Sequence, residues 1–227
     1  MSTSRFRMIG LTGPAGSGKD TVAALLRVHC GYNPMAFADA LRGEVASAFG
    51  IDPLLLQERA TKEHPISALA LRRCMDPAFE AFVIVAHQRA GLGLVDTTAP
   101  RSPRQIMQWW GTEYRRAGAP NYWVRAAQKR VTDMHRWGHA HRFVMTDVRF
   151  QNEADLVREY GGQIWQIVRP DLAPIEGDHP SEVTGDEFRP DTVINNNHDM
   201  RHLQQLVLGA VAARDWGVKS VRVEVTE

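Results

Sequence analysis

The chain has few of the features that mark secreted, membrane-spanning or polyanion-binding proteins. Only two cysteines, Cys30 and Cys74, occur in 227 residues, and their spacing fits neither a metal site nor a disulfide framework. The most apolar run, Ala81 to Ala86, is far too short to cross a bilayer. The formal net charge of +1 gives no reason to expect a polyanion groove or a membrane-surface role. We therefore expect a cytoplasmic protein that binds neither nucleic acid nor membranes.

Segments that would divide the chain are also missing. There is no internal repeat and no low-complexity tract. Because a first strand is predicted within a few residues of Met1, we expect no signal peptide. Hydrophobic residues make up 44% of the chain, which is enough to build a core. We expect residues 1–227 to form a single domain of ordinary size, with a smaller helical insertion.

The most informative stretch is GPAGSGKDT, from Gly13 to Thr21. It follows an apolar run, Met8 to Leu11, and precedes a helix-like run, Val22 to Leu26, which is the strand–turn–helix context of a phosphate-binding loop. The glycines would let backbone N–H groups turn toward phosphate oxygens at the positive end of the helix. Lys19 would then reach the β- and γ-phosphates of a nucleoside triphosphate. The nucleotide-binding residues predicted from this motif are Gly13, Ala15, Gly16, Ser17, Gly18, Lys19, Asp20 and Thr21.

One position of this motif differs from the usual pattern at the place where a magnesium ion is ligated. Asp20 occupies the place where Ser or Thr usually ligates magnesium, and a hydroxyl follows only at Thr21. Asp147 comes directly after a buried strand, His141 to Thr146, where a magnesium-organising carboxylate is expected in a protein with a phosphate loop. We therefore predict that Mg²⁺ is held by Asp147, in part through water, with Asp20 as a second candidate.

A predicted helix from Pro103 to Ala117 carries a polar stripe. At about 100° per residue, the stripe contains Arg104, Gln108, Gly111 and Arg115, opposite an apolar face of Ile106, Met107, Trp110 and Tyr114. A solvated face is one explanation, but a glycine inside a helix costs about 1 kcal/mol. We favour a ligand-facing stripe in which Gly111 allows close approach, the arginines bind phosphate and Gln108 reads a base edge.

Polar residues also follow the ends of predicted strands in the sequence. Asp39 and Arg42 follow a short strand, Met35 to Phe37, where a helix begins. They are either a helix cap and a solvated arginine, or part of a ligand site at the carboxyl edge of a parallel sheet. Arg149 follows Asp147 by two residues and is placed to meet a phosphate, whereas Glu153 is expected to cap the next helix.

The last third of the chain completes a predicted sheet. A strand from Gln163 to Val168 precedes a long, charged, proline-rich segment, 171–190, whose length is typical of a functional or a disordered loop. The last parallel strand is expected at Thr192 to Ile194. Valines alternate with charged residues from Val221 to Val225, which predicts a final edge strand. Such an edge could pair with a second copy, so a homodimer is expected to be accessible.

Five stretches, taken in order, form one pattern along the chain. They are GPAGSGKDT; FADALR; RQIMQWWGTEYRR with NYWV after it; TDVRFQNEAD followed by GGQIWQIVRP; and DHPSE followed by DTVINNN. In this order and spacing they resemble the deoxynucleoside monophosphate kinases encoded by bacteriophages, over nearly the whole chain except residues 51–93 and the C-terminal tail. The resemblance implies a location in the host cell cytoplasm.

This resemblance implies a fold as well. It indicates an α/β P-loop kinase like adenylate kinase, with three α/β/α layers around a five-stranded parallel sheet. It further implies a helical insertion at about residues 51–120 that binds the nucleoside monophosphate, and a lid-like loop at about residues 171–190.

The resemblance also implies roles for individual residues. The acceptor side would contain Asp39, Arg42, Arg104, Gln108, Thr112 and Arg116. Because the helical stripe favoured Arg115 in place of Arg116, the choice between these two arginines stays open. The donor side and the lid would contain Arg149, Arg169, His179, Ser181 and Glu182, with Asn195 and Asn196 beside the adenine.

The reaction implied is transfer of the γ-phosphoryl group of ATP to a deoxynucleoside monophosphate, with Mg²⁺ as cofactor. Lys19, Arg104 and Arg149 would supply the catalytic positive charge. The acceptor phosphate has a second pKa near 6 and is mostly ionised at pH 7, so no general base is needed.

Two other kinds of protein share a phosphate loop. A kinase with a hydroxyl acceptor, such as dephospho-coenzyme A or a sugar acid, would use Asp39 as a base. A nucleotide-dependent switch or motor is the other alternative, although the Asn-Lys-x-Asp string that reads guanine in GTP switches does not occur in the sequence.

Overall fold

The computed structural model describes residues 6–57, 61–170, 188–215 and 221–223. The chain divides into two compact units. The sheet unit comprises Met1–Phe37 and Ala126–Glu227, and the helical unit comprises Ala38–Arg125, which is a wider segment than the predicted insertion at about 51–120. No helix in the described part of the chain is both long and apolar enough to span a membrane.

Within its described residues, the sheet unit contains six parallel strands in the order β2-β3-β1-β4-β5-β6. Their bounds are β1 Arg7–Thr12, β2 Asn33–Met35, β3 Arg142–Met145, β4 Gln163–Val168, β5 Thr192–Asn195 and β6 Val221–Val223. Five of them form the predicted parallel sheet, and β6 is the predicted edge strand. The prediction that β5 is the last parallel strand is wrong, because β6 also pairs with β5 in parallel.

The central strand β1 is buried on both sides of the sheet, and its residues alternate between two layers of helices. Ile9 and Leu11 belong to the core that contains residues of helices α1, Lys19–Cys30, and α7, Met200–Asp215. Gly10 points the other way, and a Cβ built on it would lie 3.1 Å from Val157 in helix α6, Gln151–Glu159. A parallel sheet covered on both faces explains the continuous apolar sequence of β1 and confirms the three-layer α/β/α fold.

Strand β2 is shifted from its predicted position of Met35 to Phe37 by two residues. It pairs only with β3, at the edge of the sheet, and therefore accommodates Pro34, which has no N–H to donate. The N–H of Phe37 donates to the Asp147 carboxylate at 2.7 Å, outside the strand ladder. This side-chain contact explains why the strand ends before Phe37.

The helical unit is built from short helices around an aromatic core. Its elements are α2 Ala38–Phe49, 3₁₀ turns at Pro53–Leu56, Ser67–Leu69 and Leu71–Arg73, α3 Pro77–Arg89, α4 Pro103–Gln108, a π-helix Trp109–Arg116 and the start of α5 Tyr122–Arg136. Phe79, Ile106 and Trp110 are at most 2% exposed in this core. The apolar face predicted for residues 103–117 therefore packs inward as expected.

Candidate active site

The phosphate loop is formed by three glycines with positive φ between β1 and α1. Gly13, Gly16 and Gly18 have φ values of 133°, 81° and 105°, which other residues rarely adopt. A Cβ at Gly13 would lie 2.3 Å from the Ile167 carbonyl oxygen of β4, so any side chain there would collide with the backbone. The loop therefore requires glycine for both conformation and space, and helix α1 begins directly after it at Lys19.

The ammonium group of Lys19 is held by the loop itself. Its Nζ donates to the carbonyl oxygens of Gly13 at 2.7 Å and Pro14 at 2.8 Å. These contacts place the positive charge beside the glycine backbone and the N-terminus of α1, both of which favour a phosphate group. That Lys19 binds the phosphates of ATP stays a prediction.

Asn196 joins the end of β5 to the phosphate loop. Its Nδ2 donates to the Ser17 carbonyl oxygen at 2.9 Å, and a Cβ at Gly18 would lie 2.4 Å from the same nitrogen. The backbone N–H of Asn196 donates to the Val168 carbonyl at 2.7 Å, which fixes its own position. The structure thus gives Asn196 a supporting contact that the sequence did not reveal, while a contact of Asn195 or Asn196 with adenine stays a prediction.

Ser17 is fully buried inside the loop, and within the described residues its hydroxyl has no hydrogen-bond partner. The other predicted donor residues differ in exposure. Ala15, Gly16, Thr21 and Asn195 are half-buried, and Asp20, Arg149 and Arg169 are exposed. Asp20 is in the first turn of α1 and Arg169 follows β4, as the sequence indicated.

Asp147 follows β3, the strand next to β1 in the sheet. One of its oxygens, Oδ1, accepts the hydrogen bond from Phe37 N, and the next residue, Val148, donates its N–H to the Leu11 carbonyl at 3.0 Å. The carboxylate is therefore oriented at the end of the sheet from which the phosphate loop also emerges. Mg²⁺ is usually bound by one or two carboxylates together with water and substrate phosphates, so this donor set fits that ion.

The segment after Asp147 is a helix cap, as predicted. Glu153 is 2% exposed, and its Oε2 accepts the N–H groups of Arg149 at 2.8 Å and Phe150 at 3.2 Å. This contact fixes the backbone of Arg149 at the start of α6.

The helical unit contains the residues predicted for the acceptor side, and three of its arginines have carboxylate partners. Arg42 donates to Asp39 at 2.8 Å, Arg104 pairs with Glu63, and Arg115 donates through Nε to Glu44 at 3.0 Å. Gln108 is half-buried at the end of α4, while Thr112 is exposed and Arg116 half-buried on the π-helix.

The predicted α-helical stripe ends at Gln108, because the helix changes register at the next residue. Trp109–Arg116 is a π-helix, and the N–H of Ala117 donates to the Thr112 carbonyl five residues earlier. A periodicity of 3.6 residues no longer applies there, so the prediction that Arg115 continues the stripe of Arg104 and Gln108 is wrong.

The space beside Gly111 is filled by protein. A Cβ at this glycine would lie 2.9 Å from Leu41 Cδ2 of helix α2, and the Gly111 carbonyl accepts the Trp123 indole N–H at 3.0 Å. The expectation that Gly111 admits a ligand is therefore wrong, since the glycine allows α2 to approach.

The acidic partners Glu44, Glu63 and Asp76 could not be predicted from the sequence. They lie 71, 41 and 39 residues from the arginines they face, and no motif or helical period connects positions that far apart. Only the folded helical unit brings them together. The predicted lid residues His179, Ser181 and Glu182 lie outside the described residues.

Comparisons with known proteins identify a family. The family model for deoxynucleotide monophosphate kinase matches residues 56–207. A putative deoxynucleotide monophosphate kinase from Acanthamoeba polyphaga mimivirus is 27% identical over 222 residues, covering 90% of this chain and 95% of the relative. The deoxynucleoside-5′-monophosphate kinase of Escherichia phage T5 is also 27% identical, over 77% of this chain and 83% of its own.

A third relative is similar over a shorter stretch. The cytidylate kinase of Natronomonas pharaonis is 38% identical over 82 residues, which is 36% of this chain and 42% of that protein. Since the family model spans more than half of the chain, the protein belongs to the deoxynucleotide monophosphate kinase family and is a phosphotransferase.

Proposed function

We propose that the protein transfers the γ-phosphoryl group of ATP to a deoxynucleoside 5′-monophosphate and releases ADP and the deoxynucleoside diphosphate. The observation that carries this proposal is the phosphate loop with Lys19 held against it. The loop lies outside the matched residues 56–207, so it supports the family's activity independently of that match.

The sheet unit supplies the donor side in this proposal. Backbone N–H groups of the phosphate loop and Nζ of Lys19 bind the ATP phosphates, and the Asn196 contact with Ser17 keeps the loop in its binding conformation. Arg149 and Arg169 add positive charge toward the donor phosphates. Mg²⁺ would be held by Asp147 and by substrate phosphates, with Asp20 as a further ligand through water, and would neutralise charge on the transferring group.

The helical unit supplies the acceptor side. Arg104 and Arg42 are the arginines we assign to the acceptor phosphate, with Gln108 and Thr112 nearer the base or sugar. Both arginines have carboxylate partners, which keep the guanidinium groups ordered and would be exchanged for the phosphate when the acceptor binds. The acceptor oxygen is already ionised at pH 7, so catalysis rests on positioning and charge rather than on a base.

A hydroxyl acceptor is less well supported. In that alternative Asp39 takes the proton from the hydroxyl, but its Oδ1 is engaged by Arg42 at 2.8 Å. The Asp39–Arg42 pair is better explained as support for a phosphate-binding arginine.

A panel of acceptors tests the proposal. ADP formation from ATP is measured with each deoxynucleoside and ribonucleoside monophosphate, with dephospho-coenzyme A, and without an acceptor, and Lys19→Ala is the inactive control. We expect ADP only when a deoxynucleoside monophosphate is present. ADP formation that depends on a hydroxyl acceptor, or on no acceptor, would overturn the proposed function.

A further inference from the structure

Glu44 of helix α2 is the centre of a hydrogen-bond cluster in the helical unit. Its Oε2 accepts the Trp110 indole N–H at 2.9 Å and the Arg115 Nε at 3.0 Å, and its Oε1 accepts the Tyr122 hydroxyl at 2.6 Å. Two of the three donors lie on the π-helix and the third begins α5. One half-buried carboxylate thus connects three helices.

Aromatic rings enclose the guanidinium group of Arg115 in the same cluster. Its Cζ lies 4.7 Å from the ring centre of Tyr114, 5.3 Å from that of Tyr122 and 5.4 Å from that of Trp110. A second carboxylate, Asp76, is 3.9 Å away. Each of these contacts stabilises the positive charge of Arg115 and holds its guanidinium group in one position.

The two faces of α2 have different partners. At about 100° per residue, Leu41 and Glu44 share one face and Asp39 and Arg42 lie on the opposite face. Leu41 packs against Gly111, and Glu44 binds Trp110 and Arg115, so one face of α2 holds the π-helix. The opposite face carries two residues that we assign to the acceptor.

We propose that Glu44 is a positioning residue for the acceptor site, and that Arg115 acts through Glu44 without touching the acceptor phosphate. In this arrangement the Glu44–Arg115 pair fixes the π-helix, and of the two neighbouring arginines it is Arg116 that contacts the acceptor, together with Arg42 and Arg104. The inference rests on the proposed function and deepens it, since it decides between the two neighbouring arginines.

The Arg104–Glu63 and Arg115–Glu44 pairs differ in how easily the arginine could exchange its carboxylate partner for a phosphate. Arg104 has a partner, Glu63, whose side chain is 60% exposed. Arg115 and Glu44 are 29% and 28% exposed, and releasing Arg115 would also disturb its contacts with three aromatic rings. Arg115, with its aromatic and carboxylate contacts, is therefore better suited to stabilising the π-helix than to binding and releasing a substrate in each turnover.

A double-mutant cycle tests the inference. Glu44→Gln, Arg115→Met and the double variant are compared with the wild type for turnover and for the Michaelis constants of ATP and the acceptor. Arg116→Met, made in the wild type and in Glu44→Gln, is the matched control for a direct contact.

We expect Arg115→Met to lower kcat/KM for the acceptor about tenfold in the wild type and less than twofold in the Glu44→Gln background, with the ATP Michaelis constant nearly unchanged. Arg116→Met should lower kcat/KM for the acceptor about tenfold or more in both backgrounds. Equal losses for Arg115→Met in both backgrounds would show direct contact with the acceptor and overturn the inference. Unchanged kinetics in both Glu44→Gln and Arg115→Met would also overturn the inference. An Arg116→Met variant with unchanged kinetics would overturn it as well.

The double variant keeps the test valid if a single variant folds poorly, because it leaves neither charge without its partner. Failure of the proposed function is seen in the wild type, which would then form no ADP with any nucleoside monophosphate. Failure of the present inference is seen only in a wild type that does form ADP.

Discussion

At the scale of single residues, Asn196 supports the phosphate loop through one side-chain hydrogen bond to Ser17. Asn196→Asp has nearly the same shape but replaces the donating amide with a carboxylate that faces a carbonyl oxygen. We expect a cost of about 1–3 kcal/mol in ATP binding, which raises the ATP Michaelis constant at least about fivefold. The Michaelis constant of the acceptor should stay the same.

Asn197→Asp is the matched control, because Asn197 is exposed and carries the same change of charge one residue further along. Both variants are assayed for the two Michaelis constants. If Asn196→Asp and Asn197→Asp behave alike, Asn196 does not hold the loop.

Asp147 offers a second test at the same scale. Asp147→Asn keeps an oxygen for the Phe37 N–H but removes the negative charge. If Asp147 organises Mg²⁺, the variant should need about tenfold or more Mg²⁺ for half-maximal activity and turn over more slowly. A magnesium titration that overlays that of the wild type would place the ion elsewhere.

At the scale of helices, two glycines of the helical unit differ in their surroundings. A Cβ at Gly43 of α2 would meet no described heavy atom within 4 Å, whereas a Cβ at Gly111 would lie 2.9 Å from Leu41. We expect Gly43→Ala to stabilise the protein by about 0.5–1 kcal/mol, since alanine favours the helix. Gly111→Ala should destabilise it by about 1 kcal/mol through overpacking against the terminal methyl groups of Leu41.

Thermal unfolding of the two variants measures this difference directly. Shifts of Tm in opposite directions are expected. A Gly111→Ala protein as stable as Gly43→Ala would show that α2 does not pack closely against the π-helix.

The Tyr122 hydroxyl connects helix packing to pH. Its hydrogen bond to Glu44, together with burial, raises the pKa of Tyr122 above the ordinary value of 10.0. The folded protein therefore keeps a proton that the unfolded chain loses, so this stabilisation is complete below pH 10 and declines as the pH rises through the folded pKa. The free energy of unfolding of wild type should fall toward that of Tyr122→Phe above pH 10, and a constant difference between them would contradict this.

At the scale of the whole molecule, the sequence predicted the features that depend on residues close together in the chain. The phosphate loop, the end of α1 at Gly31 and the strand β4 follow from glycine positions and apolar runs within about ten residues. The π-helix does not, because the residues it contacts include Leu41 and Glu44, more than sixty residues earlier in the chain. The carboxylate partners of the acceptor-side arginines could not be predicted from the sequence for the same reason.

The two units also divide the predicted residues by substrate. Every described residue assigned to ATP or Mg²⁺ lies in the sheet unit, and every residue assigned to the acceptor lies in the helical unit. This division explains why donor and acceptor variants are expected to change different Michaelis constants.

The destination of the γ-phosphoryl group tests the central claim most directly. The protein is incubated with ATP labelled at the γ-phosphate and a deoxynucleoside monophosphate, and the labelled products are separated and identified. We predict label in the β-phosphate of the deoxynucleoside diphosphate, in a one-to-one ratio with ADP, and almost no labelled inorganic phosphate when the acceptor is left out. Label released mainly as inorganic phosphate, at a rate that does not depend on the acceptor, would contradict the account.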